Sequence, residues 1–542
     1  MAAVAFAIYA IAAARDVMFG DGLELTGTAV ANGIAHAPGY PLWIMLGHLA
    51  ALIPAGPVPY RVNLTAALYH SIALGIVYAT ARELTHRRLA ALAAVAVLGL
   101  LSPLFVVWSL QAEVFSLNDL FAASIVYLSL RWTREPRRRR YFYALAALFG
   151  LGSSNQQTLL LLVPFSAWCA WQTRADWPHG GRAARTSAIG VCLFFIAFAL
   201  PYVHVGNPQM ILALVTRREY GGLALVGNPA QQGGDAFARI LWLVAAGGTP
   251  YVAILAGIAI AARRSRINSI GPVLIATFCI VVFALVASLA LTRDDARGVF
   301  ARFGLLPLVS LAPWAAMAFT NRAIASGALV TCAIAGTYAL TQLSLASTHD
   351  ARTFANDVFA AIPAKATLLA AGEAAETTLA YFHDSEGMRP DVTLIRYGHL
   401  PGYAALPPQL LRDTTINQSG NTSSFYVVGD QPIHLPSQAF IPLRTGLVSH
   451  MIPATSRFDL SHELVIAVTL ERARGYGDIT SSFWKSNGFA QTVRQYYAAG
   501  YYLTGVYAEA QRAAGAHEWY ERALQYAYDP AISAAALRTA NR

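Results

Sequence analysis

The chain has 542 residues, 56% of them hydrophobic and only 13% charged, with a formal net charge of +10. Ordinary soluble domains carry about 25% charged residues, so this composition, with a mean hydropathy of +0.45, excludes a typical soluble enzyme and points to a chain built for a bilayer. The positive charge is nearly all arginine, with Lys365 and Lys485 the only lysines, and it lies in short loops between apolar runs, as topology signals do and a nucleic-acid footprint does not.

The first 14 residues, "MAAVAFAIYAIAAA", precede Arg15. They make only about 21 Å of helix against a hydrocarbon core of roughly 30 Å. They also lack the basic start of a signal peptide. We read a first membrane helix that borrows length as far as Phe19. Further apolar segments lie near 63–81, 89–108, 116–130, 141–153, 158–173, 186–204, 239–261, 270–291, 303–319 and 323–344. This makes a polytopic α-helical membrane protein of about eleven crossings, over 1–344. The fifth segment is short. Arginines concentrate in the connections 82–88, 131–140, 173–185, 262–266 and 321–322. By the positive-inside rule these face the cytoplasm, which places the N-terminus inside and the tail after 345 outside, in a bacterial periplasm. Cys169, Cys192, Cys279 and Cys332 each sit in apolar sequence without C-x-x-C spacing, which argues against a metal or redox site.

The tail has ordinary polarity. "ATLLAAG" (366–372), "DVTLIRY" (391–397), "SFYVVGD" (424–430) and "ELVIAVTL" (463–470) read as strands of an α/β domain over 345–486. The segment 487–542 reads as helical, like one tetratricopeptide helix pair.

On the expected outer side, unusual polar residues collect at the helix ends. Asp16, Asp21, Glu24 and His36 come first, then Glu113 and Asn118 in "LQAEVFSLND". "SSNQQ" supplies Asn155 and Gln156, "TRREYGG" supplies Arg217, Arg218 and Tyr220, and "TRDDARG" supplies Arg293 and Arg297. Charged groups near a bilayer are costly and mark functional sites. Mixed acids and arginines suit a base together with an anion clamp. Each has a plainer reading. Asp21 and Glu24 share one face of a helical turn and favour a helix start. Glu113 could be a cap, Arg217 and Arg218 could snorkel to headgroups, and Asp294 and Asp295 could pair locally with Arg293 and Arg297. His36 reads as a hydrogen-bonding histidine, and Pro38, Gly39 and Pro41 as a bend.

The motifs "GDGLEL", "AHAPGYPLW", "RVNLTAAL", "WSLQAEVFSLND", "LFGLGSSNQQTLLLLVP" and "RREYG" together resemble the protein O-mannosyltransferase-like membrane family of the GT-C glycosyltransferase class, formerly a domain of unknown function. The resemblance spans about residues 15 to 225 and continues more weakly in the tail through an R-P-D-V element at Arg389 to Val392. It implies a polyprenyl- or dolichyl-phosphate sugar donor used outside the cytoplasmic membrane, with an acid of the first outer loop, Asp21 or Glu24, as the base. Two features depart from the family. Gln156 and Gln157 stand where its members usually carry histidine, and the first helix is short.

The expected chemistry is inverting transfer of mannose or another hexose to a Ser or Thr hydroxyl of a protein acceptor. Asp21 takes the proton, and Arg217 or Arg218, with Arg293 or Arg297 as alternates, meets the phosphate. Glu24 or Glu113 orients the acceptor or holds a divalent cation, the one cofactor these residues suggest. No nucleic-acid partner is expected. The alternative reading is a transporter or flippase of a lipid-linked substrate, which would place polar groups at the midplane and show internal repeats.

Overall fold

The computed structural model describes residues 1–220, 222, 233–264, 266–292, 294–397, 425–429, 440–453, 488–512, 515–527 and 530–540. The chain divides into two compact units, residues 1–16 with 28–348, and residues 17–27 with 349–542.

The first unit is a bundle of apolar helices. Among the described residues, five of its helices are long and apolar enough to cross a bilayer: Val58–Thr85, Val114–Arg134, Gly181–Val205, Ala296–Phe319 and Arg322–Leu343. A bent pair, Ala236–Gly247 with Pro250–Arg263, turns by 101° at its break. Shorter apolar helices cover Ala2–Ala12, Pro41–Ala51, Arg88–Leu101 and Ile270–Val286. The apolar windows of Gly181–Val205 and Arg322–Leu343 are only 17% buried, and they expose Phe195, Ile196, Ile334 and Tyr338. Greasy side chains held outward in this way need lipid around them.

Two segments differ from the expected spans for identifiable reasons. The first helix ends at Ala12 rather than near residue 19. Beyond it the backbone is bonded sideways: Ala14 N–H donates to the Leu110 carbonyl at 2.9 Å, and Asn63 Nδ2 donates to the carbonyls of Ala14 and Asp16. The segment 239–261 is broken where Gly248 adopts φ +70° just before Pro250, a pairing that ends one helix and begins another.

Helices meet through glycine, as is common in bilayers. A Cβ on Gly150 would lie 2.1 Å from the Phe194 carbonyl oxygen, and one on Gly257 would lie 2.0 Å from that of Trp314. These approaches join Arg140–Asn155 to Gly181–Ala199, and Pro250–Arg264 to Leu305–Ala315.

Among the described residues the second unit holds a five-stranded sheet with strands β1 Thr367–Ala371, β2 Thr393–Tyr397, β3 Phe425–Gly429, β4 Phe440–Thr445 and β5 Val448–Pro453 in the order β2-β1-β3-β5-β4. β1 runs parallel to β2 and β3, while β5 is antiparallel to β3 and β4. The first three strands fall within the segments 366–372, 391–397 and 424–430 read as strands from the sequence. The strand expected at 463–470 lies outside the described residues. Helices Gly488–Ala510, Ala516–Tyr526 and Pro530–Ala540 follow. The first two pack through stacked rings, Tyr497 on Tyr526 at 5.3 Å and Tyr501 on Trp519 at 6.0 Å.

The unit boundary falls inside helix Asp21–Ala31. Val17, Phe19 and Leu23 belong to the same buried cluster as Phe354, Leu368, Phe382, Val428 and Tyr497. Fully burying each such side chain is worth about 1.5–3 kcal/mol.

Candidate active site

In the first unit the expected site residues gather around Glu113. It is the N-cap of helix Val114–Arg134, its own carboxylate accepting the Val114 N–H at 3.0 Å. Its other oxygen accepts from Arg302 Nη1 at 3.1 Å. Arg302 lies over the rings of Trp108 and Phe115, at 5.6 and 5.5 Å to their centroids. The Glu113 side chain is 1% exposed and that of Arg302 13%. The pair is therefore largely withdrawn from water, where a charge survives only with a partner. Glu113 is the cap its position suggests, but it also carries a cation that sequence reading missed.

From Glu113 a series of hydrogen bonds runs through the other motifs. Trp43 Nε1 donates to the Glu113 carbonyl at 3.1 Å. Asn155 Nδ2 donates to the Val114 carbonyl at 3.0 Å, and Gln157 Nε2 to the Val215 carbonyl at 2.7 Å. Arg217 Nη1 donates to the Ala37 carbonyl at 3.3 Å and its guanidinium lies 4.7 Å from the Tyr220 ring centroid. His36 stands edge-on to both Tyr40 and Tyr220, at 5.1 and 6.5 Å, and its Nε2 is hydrogen-bonded to the Tyr40 hydroxyl at 3.3 Å. Tyr40 and Arg217 both hold left-handed backbone, φ +44° and +51°, which costs a non-glycine residue of order 1 kcal/mol. The bend 36–43, the Glu113 loop, the Asn155–Gln157 turn and Arg217–Tyr220 thus converge.

Asn118 lies one turn beyond Val114 on the face that meets helix Arg140–Asn155. It is fully buried, and both its amide atoms lack a hydrogen-bond partner, as does the Asn155 Oδ1. Gln156 is also buried. Arg218 is exposed. Arg297 stands apart, donating to the Leu291 carbonyl and lying 5.8 Å from the Trp242 ring. Arg293 lies outside the described residues.

Asp21 and Glu24 belong to the second unit. Both sit, half-buried, in the first turn of helix Asp21–Ala31, where the helix dipole favours a carboxylate. Gly20, at φ +110°, makes the turn into that helix. Among the described residues no group of three or more His, Cys, Asp or Glu is placed to hold a metal ion.

Two further polar residues matter and were not singled out in the sequence. Asn63 ties the segment leading to Asp16 to the loop leading to Glu113, since its Oδ1 also accepts the Ala112 N–H at 2.8 Å. His70 bridges Ser109, at 2.7 Å, and Asp119, at 3.0 Å, with the His70 and Asp119 side chains fully buried. A polar residue inside an apolar run is the signal that would have found both.

A family model described as protein O-mannosyl-transferase TMEM260 N-terminal domain matches residues 21–177. The protein O-mannosyl-transferase TMEM260 of Mus musculus is 28% identical over 435 residues, 72% of this chain and 61% of that protein. Its counterpart in Dictyostelium discoideum is 28% identical over 249 residues, 41% of this chain and 30% of that one. The chain therefore spans less than two thirds of the length of these relatives. Among solved structures, apo ArnT from Cupriavidus metallidurans superposes with a TM-score of 0.53 at 13% identity, covering 79% of this chain and 91% of that one. The same protein bound to undecaprenyl phosphate gives 0.55 at 14%, covering 79% and 92%. Residues 21–177 therefore match the N-terminal domain of the TMEM260-type protein O-mannosyl-transferases, as the motifs suggested, and the chain shares the fold of ArnT.

Proposed function

We propose that the protein is an inverting membrane glycosyltransferase. It moves mannose or another hexose from a polyprenyl-phosphate donor to a Ser or Thr hydroxyl of a protein acceptor, on the periplasmic face of a bacterial cytoplasmic membrane. The observation that carries this reading is the family match, which begins at Asp21 itself and takes in Glu24, His36, Glu113, Asn118 and Asn155. The fold shared with ArnT, which has been solved with undecaprenyl phosphate, supports the class of donor.

The acceptor hydroxyl gives its proton to the Asp21 carboxylate as its oxygen attacks the anomeric carbon. The bond from that carbon to the phosphate oxygen breaks, and polyprenyl phosphate leaves with the electron pair. Phosphate is already a good leaving group, so stabilisation of its charge by cations replaces a general acid. Arg217 is the first choice for this role, with Arg218, Arg293 and Arg297 as alternates. Arg302 is committed to Glu113 and holds the loop in place. Glu24 orients the acceptor, while Asn118, Asn155 and Gln156 present amides to sugar hydroxyls.

The test is mass spectrometry of exported proteins from cells with and without the gene. Hexose on Ser or Thr residues that disappears with the gene is the expected result. An unchanged glycoproteome, with a polyprenyl-phosphate sugar accumulating on one side of the membrane, would favour the transporter instead.

A further inference from the structure

The segment that carries the two acids folds with the C-terminal unit and not with the helices that surround it in sequence. The chain leaves the first unit after Asp16 and returns at Thr28. Between these points Val17, Phe19 and Leu23 are 1%, 5% and 0% exposed, inside the core formed by Phe354, Phe382, Val428 and Tyr497. The Phe19 and Phe354 ring centroids are 6.5 Å apart, tilted by 57°. One turn after Leu23, a Cβ on Gly27 would lie 3.4 Å from the Tyr381 ring and 3.7 Å from Ser385 Oγ.

At about 100° per residue, Leu23 and Gly27 form one stripe, roughly 200–240° around the helix from Asp21. The helix therefore lays one face on the core of the C-terminal unit and turns Asp21 to the other side. Its tight entry, through Gly20 at φ +110°, leaves one residue between the anchor Phe19 and the acid at Asp21. Little slack lies between the core contact and the carboxylate.

We propose that Phe19 and Leu23 are positioning residues for transfer, and that the C-terminal unit sets the placement of Asp21 and Glu24 through them. On this view the unit is a working part of the enzyme, and loosening its core slows the chemical step even when substrates still bind. The inference rests on the reading of Asp21 as the base. A carboxylate that acts at one atom tolerates little displacement, since a shift of about 1 Å can cost 100-fold.

The experiment uses the full chain in lipid vesicles with a polyprenyl-phosphate hexose and a Ser/Thr peptide. Phe19→Ala and Phe354→Ala are compared with Phe19→Leu and Phe354→Leu. Hydrogen exchange is followed in residues 17–27 and in the helices of the first unit. Expected are a fall in kcat of about tenfold or more for the alanine variants and KM values within about threefold. Exchange should rise in 17–27 but not in Val58–Thr85, and the leucine variants should recover most of the rate. In an Asp21→Asn background, Phe19→Ala should cause no further loss. Alanine variants that gain exchange in 17–27 yet keep wild-type kcat overturn the proposal. If the alanine variants fail to fold, Leu23→Val decides in the same way: raised exchange in 17–27 with a fall in kcat supports the proposal, and raised exchange with wild-type kcat overturns it. Full activity of Asp21→Asn alone would remove the base assignment, and the exchange result would still report whether the C-terminal unit holds the segment.

Discussion

Arg302 reaches across 189 positions of sequence to place its guanidinium 3.1 Å from the Glu113 carboxylate, with both side chains largely out of water. Glu113 at the same time caps helix Val114–Arg134. Removing the arginine leaves a buried carboxylate without this partner, so Arg302→Ala should lower stability by about 3–5 kcal/mol. Adding Glu113→Gln should recover part of that loss. Thermal unfolding of the single and double variants in detergent measures both. An Arg302→Ala protein as stable as wild type would show that the pair carries no such weight.

Gly150 has no room for a side chain, because the Phe194 carbonyl occupies the place of a Cβ at 2.1 Å. Gly150→Ala must push helices Arg140–Asn155 and Gly181–Ala199 apart, at a cost of about 1–3 kcal/mol. Gly327, whose Cβ would meet nothing within 4 Å, is the control, and Gly327→Ala should be tolerated. A chemical or thermal melt that ranks the two equally would contradict the packing.

Arg217 and Arg218 are neighbours with different surroundings. Arg217 is held by Ala37 and Tyr220, whereas Arg218 is exposed. As the proposed contact to the donor phosphate, Arg217→Ala should reduce kcat/KM by about 10- to 100-fold, or about 1.4–2.7 kcal/mol. Arg218→Ala should have a clearly smaller effect. Steady-state kinetics with varied donor separates them, and the reverse order would move the phosphate contact to Arg218.

In the second unit, Arg389 donates to both oxygens of Asp391 and to the carbonyl of Pro363, stitching the R-P-D-V element to the end of helix Asp350–Ala360. The Arg389 guanidinium, with the Lys365 N–H, holds the Asp391 carboxyl well below the usual carboxylate range. A carboxyl whose pKa is lower in the folded state favours folding above its unfolded value of about 4, and that contribution is lost as pH falls towards the folded value. Asp391→Asn should therefore weaken the unit at pH 7 and flatten its stability change below about pH 4. Melting temperatures from pH 7 down to pH 2 test this. Parallel wild-type and variant curves would contradict it.

Much of this was legible in the sequence because local chemistry announced it. Asp21 and Glu24 at i, i+3 do open a helix. Glu113 does cap one. The apolar runs between loops at 366–372, 391–397 and 424–430 do form strands, and the arginine loops separate apolar helices. What escaped depends on partners distant in the chain. Arg302 looks like an ordinary basic residue until Glu113 is placed beside it. β4 and β5 contain Pro442 and Pro453 and lack clean alternation, so only their mutual pairing defines them. Asn63 reads as a blemish in an apolar helix, yet it ends the first helix by capturing Ala14 and Asp16. The insertion of Phe19 and Leu23 into a core built more than 300 residues later has no local signature at all.

The central claim is that Asp21 takes the acceptor's proton. The direct measurement is sugar transfer by the purified full chain in vesicles, comparing Asp21→Asn, Glu24→Gln and wild type with a polyprenyl-phosphate hexose and a Ser/Thr peptide. Asp21→Asn should lose about 100- to 10,000-fold in kcat, the usual contribution of a general base, while keeping its fold and donor binding, and Glu24→Gln should lose less. Wild-type kcat in Asp21→Asn would contradict the assignment.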